Sequence, residues 1–380
     1  MISKSFVLGL LTLTWPLLKV VFQFYTTGTA YSKSDPEFAT SLAANIRLTL
    51  MSHLGDYLEA TDFQIFPFPM TPLFGKLGGR KFAQLRGFGD PVAGKDTLVW
   101  VSKPEGAKKA VLYLHGGGYA LPLSIGQLEG IIAVNYAIKP ENRDSLALAI
   151  LDYSPTAYGD TYPTQIFEAV EAYRELVSQG YEVVVLGDSA GANLALAVAR
   201  FFAYPEEAKA HFSQYPKFAW NFSVVAAPRH LVLISPWISP YTAPEPTPGV
   251  DHSGDSSPKK ADMGLWYIGK EKKEDVWPFV NFQKTNYADH WAKVPAFNGE
   301  GGCLLTYGER ELLRKGQEEF CARNARHISV HMYPGGVHDA MFAAEARNLG
   351  NDEAIMAGAH RSKFTFGLVG KFLDEVCQEE

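Results

Sequence analysis

From about residue 97 onward, short continuous apolar runs alternate with helix-like stretches, and this pattern restricts the fold more than any other feature of the chain. TLVWVS (97–102), AVLYLHGGG (110–118), LALAILDYSP (146–155), EVVVLG (182–187), HLVLISP (230–236), GGCLLTYG (301–308) and ISVHMYP (328–334) read as strands. Between them PTQIFEAVEAYRELVSQG (163–180) places Ile166, Ala169, Val170, Tyr173, Leu176 and Val177 on one helical face and closes on Gly180. ANLALAVARFFA (192–203), residues 310–323 and HRSKFTFGLVGKFLDEVC (360–377) read as further helices. A strand without polar alternation is buried on both faces, so the spacing predicts an α/β fold with a mostly parallel central sheet covered by helices on both faces. In such sheets the working site lies at the carboxyl ends of the strands. The turns to inspect are therefore those after 114, 186, 308 and 334.

Three regions fall outside the alternation. Residues 1–30 carry the apolar run SFVLGLLTLTWPLLKVVFQFY, interrupted by Pro16 and Lys19. It is about long enough to span a bilayer, and it also suits a packed cap helix or a cleaved leader. Membrane association, with the endoplasmic reticulum as one location, and a cytoplasmic protein both remain open on this segment. Residues 31–96 are Phe- and Gly-rich and read as an N-terminal cap region. Residues 237–300, rich in Trp, Tyr, Pro and charge, read as a helical lid inserted into a catalytic domain of 97–380, since so long a connection without function is unusual.

Chemistry concentrates at the turns. Gly187-Asp188-Ser189-Ala190-Gly191 is Gly-x-Ser-x-Gly between a strand and a helix, the context of a nucleophile elbow. A sharp turn there needs glycine two residues either side of the serine, where a Cβ would clash. His115-Gly116-Gly117-Gly118 follows the preceding strand and suits a loop whose bare N–H groups face a developing oxyanion, with Ala190 as a further donor. His115 itself reads as a residue that fixes the loop. An activated serine needs a base and an orienting carboxylate, in the chain order Ser, acid, His. His338 in YPGGVHDAMF and Glu309 or Glu311 in TYGERELLRKG satisfy that order. Asp251, His252 and Asp255 lie in a polar loop and read as solvated. Cys321, His327 and His331 match no zinc-ligand spacing, so neither a metal nor an organic cofactor is implied.

Composition narrows the rest. The net charge is −6 without a basic block, which argues against nucleic acid as a partner. Cys303, Cys321 and Cys377 are too few for a disulfide framework. The 24 Phe, 18 Tyr and 7 Trp suit a core that also lines an apolar pocket.

HGGG followed by GDSAG, with DYSP and Tyr162-Pro163 between them, resembles the hormone-sensitive-lipase-like branch of the α/β-hydrolases over about residues 105–380. The apolar N-terminal segment and YGERELLR bring it nearest to the fungal steryl acetyl hydrolase family. That resemblance implies a serine ester hydrolase. Its expected substrate is a short acyl, acetyl-like ester of a lipophilic alcohol such as a sterol or secondary metabolite, used from a membrane. It implies Ser189 as nucleophile, His338 as base and Gly117, Gly118 and Ala190 as oxyanion donors. The branch's acid is an aspartate three residues after a strand-ending glycine. Glu311 occupies that position here, with Glu309 or Asp339 as alternatives. Tyr119 is expected to border the acyl pocket, and Asp188 and Asn193 to be structural. The same residues could serve acyl transfer, cyclisation or condensation, and the scaffold is also reused for ligand binding without catalysis.

Overall fold

The computed structural model describes residues 2–32, 36–65, 68–257, 262–283, 285–324 and 327–379. The parts of the two predicted cap regions at 33–35, 66–67, 258–261 and 284 lie outside the described residues. All seven predicted strands form, within one sheet of eight: β1 (Pro91–Val92), β2 (Lys95–Ser102), β3 (Lys109–Leu114), β4 (Leu146–Leu151), β5 (Glu182–Asp188), β6 (His230–Ile234), β7 (Gly302–Gly308) and β8 (Ile328–Tyr333). Their order across the sheet is β1-β2-β4-β3-β5-β6-β7-β8. β1 and β2 are antiparallel to their neighbours, and every later pairing is parallel.

The unbroken apolar runs have a direct cause. Along β3, Ala110, Leu112 and Leu114 face one core, while Val111 and Tyr113 face the other. Along β5, Val183 and Val185 divide from Val184 and Leu186 in the same way. The first core is closed by helices Thr164–Ser178 and Ala190–Ala203, the second by Ile125–Ala137 and Phe364–Gln378. Of these, Ile125–Ala137 was not foreseen. It is buried on nearly every side, so it carries almost no 3.6-residue polar rhythm.

Register aligns the ends of the strands. Leu114 pairs with both Leu151 and Gly187, Asp188 with Ile234, Ile234 with Thr306, and Gly308 with Tyr333. The four turns singled out above thus emerge along one edge. The chain winds from β3 outward to β4 and then crosses back to β5. The turns after β3 and β5 therefore flank the point where strand order reverses, the usual crevice of an open α/β sheet.

The regions read as caps are knitted into this body. Met70, Leu73, Phe74, Leu77 and Phe82 belong to the second core, and β1 extends the sheet before residue 97. From 237–300, Trp237, Tyr267, Phe279, Val280 and Trp291 belong to the first core, with helices at Asp262–Ile268 and Lys273–Val280. Helices Lys4–Thr12 and Thr14–Tyr25 follow one another with a turn at Leu13 and pack along Leu42–Gly55. Gly9 and Val20 are buried, and His53 Nε2 meets the Gly9 carbonyl at 3.0 Å. On the opposite side Leu8, Leu11, Trp15, Leu18, Phe22 and Tyr25, spaced four and three residues apart, are each more than half exposed.

Candidate active site

At the end of β5 the backbone turns sharply into helix Ala190–Ala203, and Ser189 sits on the turn at φ 49° and ψ −113°. A side chain forced to positive φ is strained, and it persists because its neighbours dictate the turn. A Cβ at Gly187 would lie 2.3 Å from the Gly191 carbonyl oxygen, and one at Gly191 would lie 1.9 Å from that of Leu114. The Ser189 N–H donates to Ile234 O at 2.9 Å, and its carbonyl accepts from Trp237 N–H at 3.0 Å.

The loops after β7 and β8 close on this serine. His338 Nε2 lies 2.9 Å from Ser189 Oγ, and His338 Nδ1 lies 3.1 Å from Glu311 Oε2. Glu311 is fully buried and densely coordinated. Its Oε1 accepts from Ser235 Oγ at 2.5 Å and Gly308 N–H at 2.6 Å, and its Oε2 also accepts from Gln317 Nε2 at 2.9 Å. Glu309 points elsewhere and accepts the Gly335 N–H at 2.7 Å. Burial alone would push the imidazole of His338 down. The hydrogen bond and charge of Glu311, joined by the charges of Asp255 and Asp188, reverse this and hold it above the ordinary histidine value.

Behind the site Asp188 organises the glycine loop. It accepts from Tyr113 Oη at 2.6 Å, Gly116 N–H at 2.8 Å and Gln127 Nε2 at 3.1 Å. The carboxyl of Asp339, next to the histidine, hydrogen-bonds that of Asp188. Burial pushes both above the ordinary aspartate range. Asp339 goes well above because it also faces the Asp188 charge, whereas the donors around Asp188 restrain it.

Gly117 and Gly118 follow at φ 114° and 62°. Among the described residues no acceptor takes either N–H, while the first N–H groups of the helix starting at Ala190 have no partner within that helix. A carbonyl oxygen reaching this corner would meet donors from both loops. The Met263 sulfur packs against Gly118, where an added Cβ would lie 2.4 Å from it. Ser189 and His338 are only 4 % and 6 % exposed, so the site is closed in this conformation.

His115 lies off to one side. Its ring stacks on Tyr153 at 4.1 Å, its Nδ1 meets the Gly116 carbonyl at 2.8 Å, and its Nε2 is 3.7 Å from Asp152 Oδ1. Burial pushes His115 down to about 4 and Asp152 up to about 7, so the imidazole is neutral and this buried contact is not an ion pair near neutral pH. Tyr119 is fully buried. Its hydroxyl donates to Asn193 Oδ1 at 2.7 Å and its ring stacks on Tyr267 at 3.7 Å. Asn193 Nδ2 in turn donates to Trp237 O and Val280 O, tying the glycine loop to the inserted segment.

Sequence reasoning missed three residues of this arrangement. Ser235 and Gln317 hold Glu311, yet nothing in their spacing marks them. Asp255 was read as solvated, but it is 2 % exposed and its carboxylate receives backbone N–H groups from both His338 and Leu312. The polarity of its surroundings, HSGDSS, suggested solvent because a buried carboxylate fed by backbone donors has no side-chain signature. His252 is likewise engaged, with Nδ1 2.9 Å from the Arg310 carbonyl.

A serine on a strained strand-to-helix turn, a carboxylate and an imidazole from the turns after β7 and β8, and a glycine loop across the sheet reversal are the parts of an α/β-hydrolase. Residues 94–333 match the family model described as steryl acetyl hydrolase, and the chain belongs to that family. It is 26% identical over 404 residues to a Schizosaccharomyces pombe protein named "Putative steryl acetyl hydrolase mug81", covering all of both chains. It is 27% identical over 215 residues to steryl acetyl hydrolase 1 of Saccharomyces cerevisiae, covering 53% of this chain and 45% of that one. Among solved structures, a hormone-sensitive lipase from a metagenome library superposes with a TM-score of 0.54 at 17% identity, over 87% of this chain and 98% of that one. The chain is thus a serine-type carboxylic ester hydrolase with the α/β-hydrolase fold.

Proposed function

We propose that Ser189, His338 and Glu311 are its nucleophile, base and acid, and that it removes a short acyl group, acetyl in the first instance, from a bulky lipophilic alcohol at a membrane surface. The observation that carries the reading is the pair of contacts on one imidazole, 2.9 Å to Ser189 Oγ and 3.1 Å to Glu311. His338 takes the serine proton as Oγ attacks the ester carbonyl. Negative charge then develops on the carbonyl oxygen beside the N–H groups of Gly117, Gly118 and Ala190. His338 returns the proton to the leaving alcohol, and water repeats the sequence on the acyl-enzyme.

The alcohol class rests on two supports. A relative spanning this chain, and a second covering about half of it, carry steryl acetyl hydrolase in their names. The N-terminal helices, with a mean hydropathy of 1.8 over the most apolar stretch of Lys4–Tyr25, present their exposed stripe away from the body. Because these helices lie along Leu42–Gly55, we read them as seated in the plane of the membrane interface. Tyr119, joined to Tyr267 and Asn193, would shape the pocket wall from behind. Hydrolysis of acetyl and long-chain esters of one sterol, presented in vesicles, tests the reading. The acetyl ester should turn over faster, and a preference for chains beyond about eight carbons would overturn the acyl assignment.

A further inference from the structure

Asp255 comes from the inserted segment, yet it holds the loops of both His338 and Glu311 by backbone N–H groups. Its Oδ1 accepts the His338 N–H at 2.7 Å. Its Oδ2 accepts the Leu312 N–H, adjacent to Glu311, at 2.9 Å and the Ser257 N–H at 3.2 Å. The 3.1 Å contact between His338 and Glu311 is therefore referenced at each end to one carboxylate. Hydrogen bonds to an ionised acceptor are among the stronger and more directional ones.

The loop carrying Asp255 is braced in turn by the N-terminal unit. Ser52, on helix Leu42–Gly55, donates to the Asp255 carbonyl at 3.0 Å. Tyr31 donates to the Gly254 carbonyl at 3.1 Å, with its ring laid against that residue. Arg310, in the acid loop, donates to Ala30 O at 2.8 Å and Ser253 O at 2.6 Å. On the other side of the histidine loop, Val337 packs into a small apolar cluster with Tyr31, Phe38 and Leu48. The unit bearing the exposed apolar stripe thus touches the base loop directly through Val337 and indirectly through Asp255.

We propose that Asp255 is a positioning residue for His338 and Glu311, and that the N-terminal unit acts on turnover through it. This rests on the triad assignment above. Misplacing a catalytic group by about 1 Å can cost about 10²-fold in rate without weakening ground-state binding, so the effect should fall on kcat rather than KM.

The test uses the full chain and 4-nitrophenyl acetate, a soluble ester that removes membrane partitioning from the readout. In Asp255→Asn the amide must turn its NH₂ group either toward the His338 N–H or toward the Leu312 and Ser257 N–H groups, which breaks one anchor. The expected result is a fall in kcat of about 10–100-fold with KM little changed. The charges facing His338 are Glu311, Asp255 and Asp188. Removing one lowers the imidazole pKa, so the acid limb of the kcat/KM profile should also move to lower pH. The double variant Tyr31→Phe, Ser52→Ala keeps the carboxylate and should lower kcat several-fold without moving that limb. Wild-type kcat in folded Asp255→Asn overturns the proposal. If that variant does not fold, wild-type kcat in the double variant overturns it equally. Failure of the wild type itself to hydrolyse the ester or react with a fluorophosphonate would instead defeat the triad assignment.

Discussion

Asp188 and Asp339 meet carboxyl to carboxyl, and each is the chain neighbour of a residue in the site, Ser189 or His338. Asp188 has three donors besides, so it takes the charge and Asp339 takes the proton. A second link, parallel to the one between imidazole and hydroxyl, therefore joins the elbow to the histidine loop.

That link gives a pH signature. Both carboxyls are raised above the unfolded value of 3.8, so their contribution to folding is full below about pH 4 and is lost as pH rises through the folded-state values. Asp339→Asn keeps a donor toward Asp188 and removes one titration. Relative to the wild type it should gain stability with rising pH, by up to about 1.4 kcal/mol per pH unit while Asp339 titrates. Denaturant unfolding at pH 5 and pH 9 measures this. An equal effect at both values would show that no proton is shared.

Glu311→Gln removes the charge facing the imidazole. The histidine pKa, held above its ordinary value chiefly against burial, should fall, and the acid limb of kcat/KM should shift to lower pH. Because the base is active when neutral, the fraction in the right state rises, yet kcat should fall by up to about 10⁴ through lost orientation. A pH profile of the variant on a chromogenic acetate tests both signs together.

Ser189→Ala and His338→Ala should each lower kcat by at least about 10⁴, and the double variant should be scarcely worse than either single one. Fluorophosphonate labelling should vanish in the first. Additive losses would mean that the two residues do not act as a unit.

Gly118→Ala would place a methyl group where the Met263 sulfur sits, at a φ of 62° that alanine rarely adopts. The N–H beside it should be displaced, with a loss of about 10²–10³ in kcat, the usual cost of one oxyanion donor. Steady-state kinetics that show only a raised KM would remove Gly118 from that role.

Replacing Leu11, Trp15, Leu18 and Phe22 together with serine or glutamine strips the exposed stripe while sparing Gly9 and Val20 on the packed side. Flotation with phospholipid vesicles should fall by at least about tenfold, since each buried large apolar side chain contributes about 1.5–3 kcal/mol. Unchanged flotation would assign membrane binding to another surface.

Much of this site was legible because its parts sit where backbone rules are strict. Gly187 and Gly191 are required by the contacts at the elbow, and Ser189, Glu311 and His338 lie in the turns that follow β5, β7 and β8, strands readable from the sequence. Sequence could order the carboxylates but not choose between Glu309 and Glu311. That choice depends on which side chain turns inward, and Ser235 and Gln317 decide it from 76 and 6 residues away. Asp255 was hidden for a related reason. Its partners are main-chain N–H groups, which every residue owns, so no spacing advertises them. Most aromatic side chains of the inserted segment belong to the first core, a role that composition does not separate from that of a lid.

Glu311 receives Ser235, Gly308, Gln317 and His338 on its two oxygens, which fills the lone-pair positions a carboxylate offers. A counter-ion so completely engaged leaves no vacancy for solvent. When the ring above it gains a proton, no neighbouring dipole needs to swing into place, and the response to that charge is already built into the resting molecule.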